Sequence, residues 1–312
     1  MLARTAESLF WLARYMERAD YLARLLQVAG HMSAVRTDSD RSEWESAIVA
    51  AGCRDGYFAA HFEPSAETVV AWLAFNPDNP SSIVSCIETA RRNARAVRTA
   101  LTADMWEAVN GTWLELRGFR SQALKADELA GFLDWVKART GLFHGVYAST
   151  MLRKDGFYFT RLGQFLERAD NSARLLDVKY HVRLPRAEDV GGVVDYYQWL
   201  AILRVVGARR AYRVLFKGQV EPLHVAELLI LRPEFPRSLV FCFEQITSQL
   251  ERIEGQDRLL TAEGKRLAHS LYAQLRFGRI DHIFRDGLHE YLSDVIQRCD
   301  ELGGEISRGH LF

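Results

Sequence analysis

The chain has 312 residues, 48% of them hydrophobic and 26% charged, with 40 basic side chains balanced by 40 acidic ones. That is enough apolar material for one or two packed domains, and a formal charge of zero excludes nucleic-acid-coating or membrane-surface roles that rest on a basic excess. No apolar run approaches the ~20 residues that cross a bilayer.

The first stretch sets the pattern. Leu9, Leu12, Met16, Ala19, Ala23 and Leu26 recur at alternating steps of three and four, which predicts one apolar face of a helix over residues 5–30. Its apolar segment Ser8–Ala13 runs into Arg14 and Glu17-Arg18 with no cleavage-type ending, so it is read as a helix of the mature protein rather than a signal peptide, and the expected location is cytoplasmic. Helical periodicity then predicts helices over 41–53, 65–75, 81–101, 103–117, 126–149, 156–181, 193–216, 222–231, 237–254, 261–276 and 280–303. Pro77, Pro80, Pro233 and Pro236 punctuate two of the junctions, with Ser81-Ser82 and Ser238 placed to cap the helices that follow. No alternating run bounded by hairpin turns interrupts this series. The fold class is all-α. None of the four cysteines forms a CxxC pair, which predicts buried free thiols.

The series repeats. Residues 12–28 read LARYMERADYLARLLQV and residues 162–178 read LGQFLERADNSARLLDV, identical at ten of seventeen positions after a shift of 150. Further on, Trp44 and Gly52 match Trp199 and Gly207, and NPDNPSSIVSCIE (76–88) matches RPEFPRSLVFCFE (232–244). Order is kept while the shift drifts, as expected of a tandem duplication of a helical bundle unit. The units are 1–150 and 151–312, expected to pack intimately about a pseudo-twofold axis. A period this long is no solenoid repeat.

Charged residues survive the repetition: Glu17/Glu167, Arg18/Arg168, Asp20/Asp170, Arg24/Arg174 and, three residues past the block, His31/His181. On a helical wheel Glu17, Asp20, Arg24 and His31 fall within a sector of about 60° opposite the apolar face. Arg18 stands about 100° round from Glu17, where it can reach a neighbouring helix. Two readings follow. In the first, the lines face each other across a polar cleft, with Glu17 and Glu167 as acid/base catalysts or metal ligands. Arg18, Asp20, Arg24, Arg168, Asp170 and Arg174 then bind a carboxylated or phosphorylated substrate, and the four acids and two histidines offer a set for a hard cation such as Mg²⁺. In the second, Asp20–Arg24 and Asp170–Arg174 are i,i+4 ion pairs, and Glu17–Arg168 and Glu167–Arg18 lock the interface between the halves. The sequence leaves open whether the chain is an enzyme, which metal or cofactor it uses if any, and whether it forms a homo-oligomer.

At these residues the chain resembles a known family. MLARTAESLFWLARYMERADYLARLL at the start and TMLRKDGFYFTRLGQFLERADNSARLL at 150–176 look like the two Glu-Arg blocks of the bacterial alpha-E domain family, and the likeness extends over the whole chain. Where members commonly carry Glu-Asn after the ERA triplet, this chain has Asp20-Tyr21 and Asp170-Asn171. The resemblance implies an all-helical domain that accompanies, or is fused to, a circularly permuted ATP-grasp-like partner. It further implies a place in ATP-dependent amide or peptide bond formation, with the signature carried by Glu17, Arg18, Glu167 and Arg168. This chain itself has no phosphate-binding glycine loop and no nucleophile elbow, so it is not expected to bind ATP by those devices.

Two minor patterns complete the reading. His282, Asp286 and His289 would share one face of a helix over 280–303, a spacing that can present metal ligands but is read first as a solvated or core-edge face. Arg91, Arg95 and Arg98 form a basic stripe whose counterparts include Glu251 and Glu254, an arrangement that would bring opposite charges together across the axis. The seven tryptophans read as mainly core residues.

Overall fold

A computed structural model describes residues 1–34, 41–119, 126–181, 192–253 and 258–310. All regular structure in the described residues is helical. The first stretch carries α1 (Ala3–Ser33), α2 (Arg41–Ala50), α3 (Arg54–Ala60), α4 (Ala66–Val70, continued by a π-helical turn to Phe75), α5 (Ile83–Ala96), α6 (Ala103–Leu116) and α7 (Ala126–Thr150). The second carries α8 (Asp155–His181), α9 (Val193–Val205), α10 (Arg209–Phe216), α11 (Pro222–Ile230), α12 (Leu239–Arg252), α13 (Arg258–Arg276), α14 (Ile280–Asp286) and α15 (Leu288–His310).

Helices α1 and α8 lie side by side at the centre and run in the same direction. Their starts meet where the Met1 amino group approaches Asp155 at 3.5 Å, and further along Glu17 meets Arg168. Around this pair the packing is matched: α1 is covered by α5 and α7, α8 by α12 and α15. One buried cluster draws residues from both stretches, among them Leu22, Leu25, Trp44, Ile87, Leu166, Leu176, Trp199 and Phe243. A second, smaller cluster joins Leu9, Leu12 and Met16 to Met105, Phe143, Tyr147 and Phe157. Trp44 and Trp199, matched in sequence, are both buried, as are the free cysteines Cys86 and Cys242.

The punctuation behaves as its chemistry requires. Ser82 and Ser238, each after a proline-containing turn, accept the backbone N–H of Ser85 and Phe241 at 3.2 Å and start α5 and α12. Gly52 and Gly207 adopt φ of +67° and +72° at the ends of α2 and α9, where a side chain would be strained, and let the following residues bond back to Ile48 and Leu203. Gly207 therefore divides the helix expected over 193–216 into α9 and α10, and α3 is its short counterpart in the first stretch, which periodicity alone did not resolve. Gly287, at φ +109°, likewise breaks the helix expected over 280–303 into α14 and α15.

That break divides the stretch that carries His282, Asp286 and His289. His289 sits 2.6 Å from Asp177, His282 lies near Asp281, and the described residues hold no group of three or more metal-capable side chains. The basic stripe is absorbed too: Arg91 lies over Trp113 and donates to Asn110, and Arg98 lies over Trp106 in a 3₁₀ turn. Glu251 turns to Lys265 and His269 instead of Arg95 or Arg98, and Glu254 lies outside the described residues.

The α1–α8 contact is close because of Gly163. A Cβ placed there would lie 2.2 Å from the Phe10 carbonyl oxygen. Gly163→Ala must therefore push the two central helices apart, and urea denaturation is expected to show a loss of about 3 kcal/mol. Gly30→Ala is the contrasting case. No atom lies within 4 Å of the added methyl, so the same measurement should show a gain of about 0.5–1 kcal/mol from helix propensity.

Candidate functional site

The conserved-by-repetition charges meet at the α1–α8 seam. Arg168 donates from Nε and Nη2 to the two oxygens of Glu17, both at 2.8 Å. Arg18 does the same to Glu167, at 2.5 and 3.1 Å. Each helix thus gives its glutamate to the other helix's arginine. Both glutamates are only 1% exposed. One turn on, Asp20 takes Arg24 at 2.7 Å and Asp170 takes Arg174 at 2.8 Å within their own helices. Arg24 also donates to the Val205 carbonyl at the end of α9, where a cation suits the helix dipole.

Four further groups belong to the cluster. Arg14, one turn before Arg18, donates to Glu167 Oε2 at 2.7 Å and lies over Trp11. His144 on α7 places Nε2 3.0 Å from Glu17 Oε2. Arg237, just ahead of α12, bridges Glu17 Oε1 at 3.1 Å and Asp20 Oδ2 at 2.8 Å. Thr140 adds a hydroxyl to Asp20 Oδ1 at 3.3 Å. The repeated residues do not point to these groups, which lie where the two stretches differ. Arg237 stands where the first stretch has Ser81 and Arg14 where the second has Gln164, so the departures were the signal.

His31 does not join. Its Nδ1 lies 2.6 Å from the Gln27 carbonyl on its own helix, exposed and away from the glutamates. The wheel placed it correctly in angle, but it sits almost four turns along the axis from Glu17. The side chain of His181 lies outside the described residues.

Electrostatics follow from the partners. Burial pushes Glu167 up, and Arg18 and Arg14 overcome it to hold the carboxyl down at about 2. Burial opposes ionisation of Glu17 as well, yet Arg168, Arg237 and His144 keep it well below the ordinary carboxylate range. Asp20 is lowered against its burial by Arg237 and Arg24. Asp170 goes the other way: burial raises it, and Arg174 offsets this only in part, with Glu167 adding repulsion. Two surface clefts, one lined by Glu227, Arg232, Arg279 and Asp281 and the other by Val214, Leu215 and Phe235, contain none of the motif residues.

Comparison with known proteins places this arrangement. The Alpha-E family, described as a predicted alpha-helical domain with a conserved ER motif, matches residues 1–311. This chain belongs to the Alpha-E family. Two of its Glu-Arg dipeptides, Glu17-Arg18 and Glu167-Arg168, make the exchange across the α1–α8 seam. Among curated proteins, an uncharacterised protein of Mycobacterium bovis and two of Mycobacterium tuberculosis are each 26% identical over 323 aligned residues, covering 94% of this chain. The chain spans 35% of the length of these relatives. No solved structure matches it.

Acid should act directly on the seam. Glu17 and Glu167 have folded pKa values below those of the unfolded chain, so their stabilisation is complete above about pH 5. It is lost as pH falls through the unfolded value and on towards the folded one, about 2 for Glu167. Asp170, raised on folding, works in the opposite sense: its cost appears as pH rises through the unfolded value. Two depressed glutamates and a depressed Asp20 outweigh one raised aspartate, so urea midpoints should fall continuously between about pH 5 and pH 3. A flat profile would contradict the buried pairs.

Proposed function

We propose that this Alpha-E domain is a non-catalytic helical partner module in an ATP-grasp-associated, amide- or peptide-bond-forming system, and that its Glu-Arg motifs are the clasp that holds it in shape. The observation that carries this reading is the saturation of Glu17 and Glu167: each is 1% exposed, with both carboxylate oxygens held by guanidinium groups. A general base needs a free lone pair within reach of substrate and a pKa near the working pH. These carboxylates have neither. A metal ligand likewise needs oxygens that arginine has not already taken.

The partner in this proposal, a circularly permuted ATP-grasp-like protein, comes from the family resemblance. A module role also accords with the mycobacterial relatives, in which the aligned region is about a third of a longer chain. In such a system the ligase supplies nucleotide chemistry, for which this sequence has no glycine loop, and the helical domain supplies a rigid surface.

Glu17→Gln and Glu167→Gln test the assignment. Removing one charge of a buried, fully bonded pair leaves arginines uncompensated, and each variant is expected to lose about 3–5 kcal/mol of unfolding free energy. Amide-forming output of the reconstituted system should then fall only in proportion to the folded fraction. Lost output from variants that melt like the parent would overturn the clasp reading and restore a catalytic one.

A further inference from the structure

Away from the seam, the matched helices α3 and α10 share a buried side and differ on the outside. Shifted by 155 positions, Tyr57 falls on Tyr212. Both rings are buried, and each hydroxyl donates to a carbonyl in the chain that follows, Glu63 at 3.1 Å and Gln219 at 2.7 Å. The outward residues do not match. Where the first stretch has Asp55, Phe58, Ala59 and Phe62, the second has Arg210, Arg213, Val214 and Lys217. Arg54 on α3 lies 4.0 Å from Asp55 and over the Phe58 ring. On α10 the side chains of Arg209, Arg210, Arg213 and Lys217 are all exposed, and among the described residues none has an ion-pair, hydrogen-bond or ring partner.

This arrangement does not help α10 to form. Arg209 and Arg210 stand in its first turn, where the positive end of the helix dipole repels a cation. Arg209 and Arg213 are like charges four residues apart and repel each other. The same place in the fold is built at α3 without the stripe, so the stripe is not a requirement of the fold. At 100° per residue the three arginines fall within a sector of about 100°, and Val214, Ala211 and Leu215 follow it round the helix. With Phe235 these apolar residues form a cleft of about 350 Å³, which Arg210 and Glu234 also line. Val214 is 64% exposed there.

We propose that the α10 face is a docking surface for an acidic segment of a partner protein, which seats an apolar side chain in the Val214–Leu215–Phe235 cleft and lays its carboxylates along Arg209, Arg210, Arg213 and Lys217. Charge sets the sign of the occupant: four unpaired cations stand against one acid in the cleft, on a chain whose total charge is zero. The cleft sets its class. Its walls are mainly aliphatic, where single-stranded nucleic acid is held by stacking bases on aromatic faces. A peptide backbone has N–H groups to offer Glu234, and a phosphodiester backbone has none. A membrane surface would need the continuous apolar face that an interfacial helix buries, and α10 offers a concavity instead. The surface stands apart from the ligase assignment, and its test leaves the clasp untouched.

The probe is a short fluorescein-labelled peptide of aspartate and glutamate with a Leu-Phe pair at its centre, read by fluorescence anisotropy against the whole chain. Binding should saturate, compete with unlabelled peptide and weaken as potassium chloride screens the charges. Arg210→Glu combined with Arg213→Glu should weaken it by roughly tenfold or more. Val214→Asp, which sets a like charge in the cleft, should do the same. These side chains are exposed, so the variants should melt with the parent. Arg54→Glu on the matched α3 should leave binding unchanged. A parent without saturable binding would overturn the surface. So would a peptide with two serines for the Leu-Phe pair that binds as tightly as the original, which would reduce the contact to bulk charge. Tighter binding of a single-stranded oligonucleotide or of phosphatidylglycerol vesicles, abolished by the same arginine reversals, would overturn it as well.

Discussion

The structure depends on an exchange of glutamates between two parallel helices. Neither glutamate is neutralised by its own sequence neighbour. Glu17 takes its forked partner, Arg168, from α8 and Glu167 takes Arg18 from α1, so each carboxylate loses that partner when the other helix leaves. Burying an ion without its partner costs several kcal/mol. Any arrangement that kept the helices packed but mismatched would leave four such groups buried without their partners at once. A bare ion-pair seam would also be free to slide. Gly163 against the Phe10 backbone fixes the separation, and the forked geometry of each Arg–Glu pair fixes the register. Apolar burial on both sides supplies the bulk of the stability, and the charges specify which arrangement it stabilises.

Reciprocity also explains why charged residues reappear after 150 positions. In a repeated unit, two copies facing each other about an axis see each other's motif, so one Glu-Arg dipeptide suffices to write both halves of the clasp. The covers of α1 and α8, the glycine ends of α2 and α9, and the serine starts of α5 and α12 match in the same order as the sequence.

Helices and the seam were legible in the sequence for different reasons. The all-helical class followed from apolar periodicity, and the charged contact from a pattern that core packing alone would not require. What stayed illegible had local causes. Gly207 and Gly287 end helices through positive φ, which a periodic pattern passes over when apolar residues continue on both sides. His31 satisfied the wheel, but a wheel projects out the axis, and the axial distance to Glu17 is what excludes it. Arg237 and Arg14 came from positions where the copies disagree, which a search for repeated residues discards. Exposure was beyond the pattern altogether: a line of charges looks the same whether it borders a cleft or is shut inside a helix pair.

Six guanidinium groups surround four carboxylates here, an excess that a buried site would not ordinarily hold. The geometry disperses it. Arg14 spreads over Trp11, Arg18 over Tyr15 and Arg168 over Phe165, so the faces of the cations rest on aromatic rings while their edges serve the carboxylates. Arg18, Arg174 and Arg237 each keep a part of their surface in solvent. Lysine could not replace them, since a point charge offers neither the flat face nor the paired donors. Arginine is therefore required twice over at the seam. That double requirement gives the Glu-Arg pairs a structural role in both halves that is independent of any reaction.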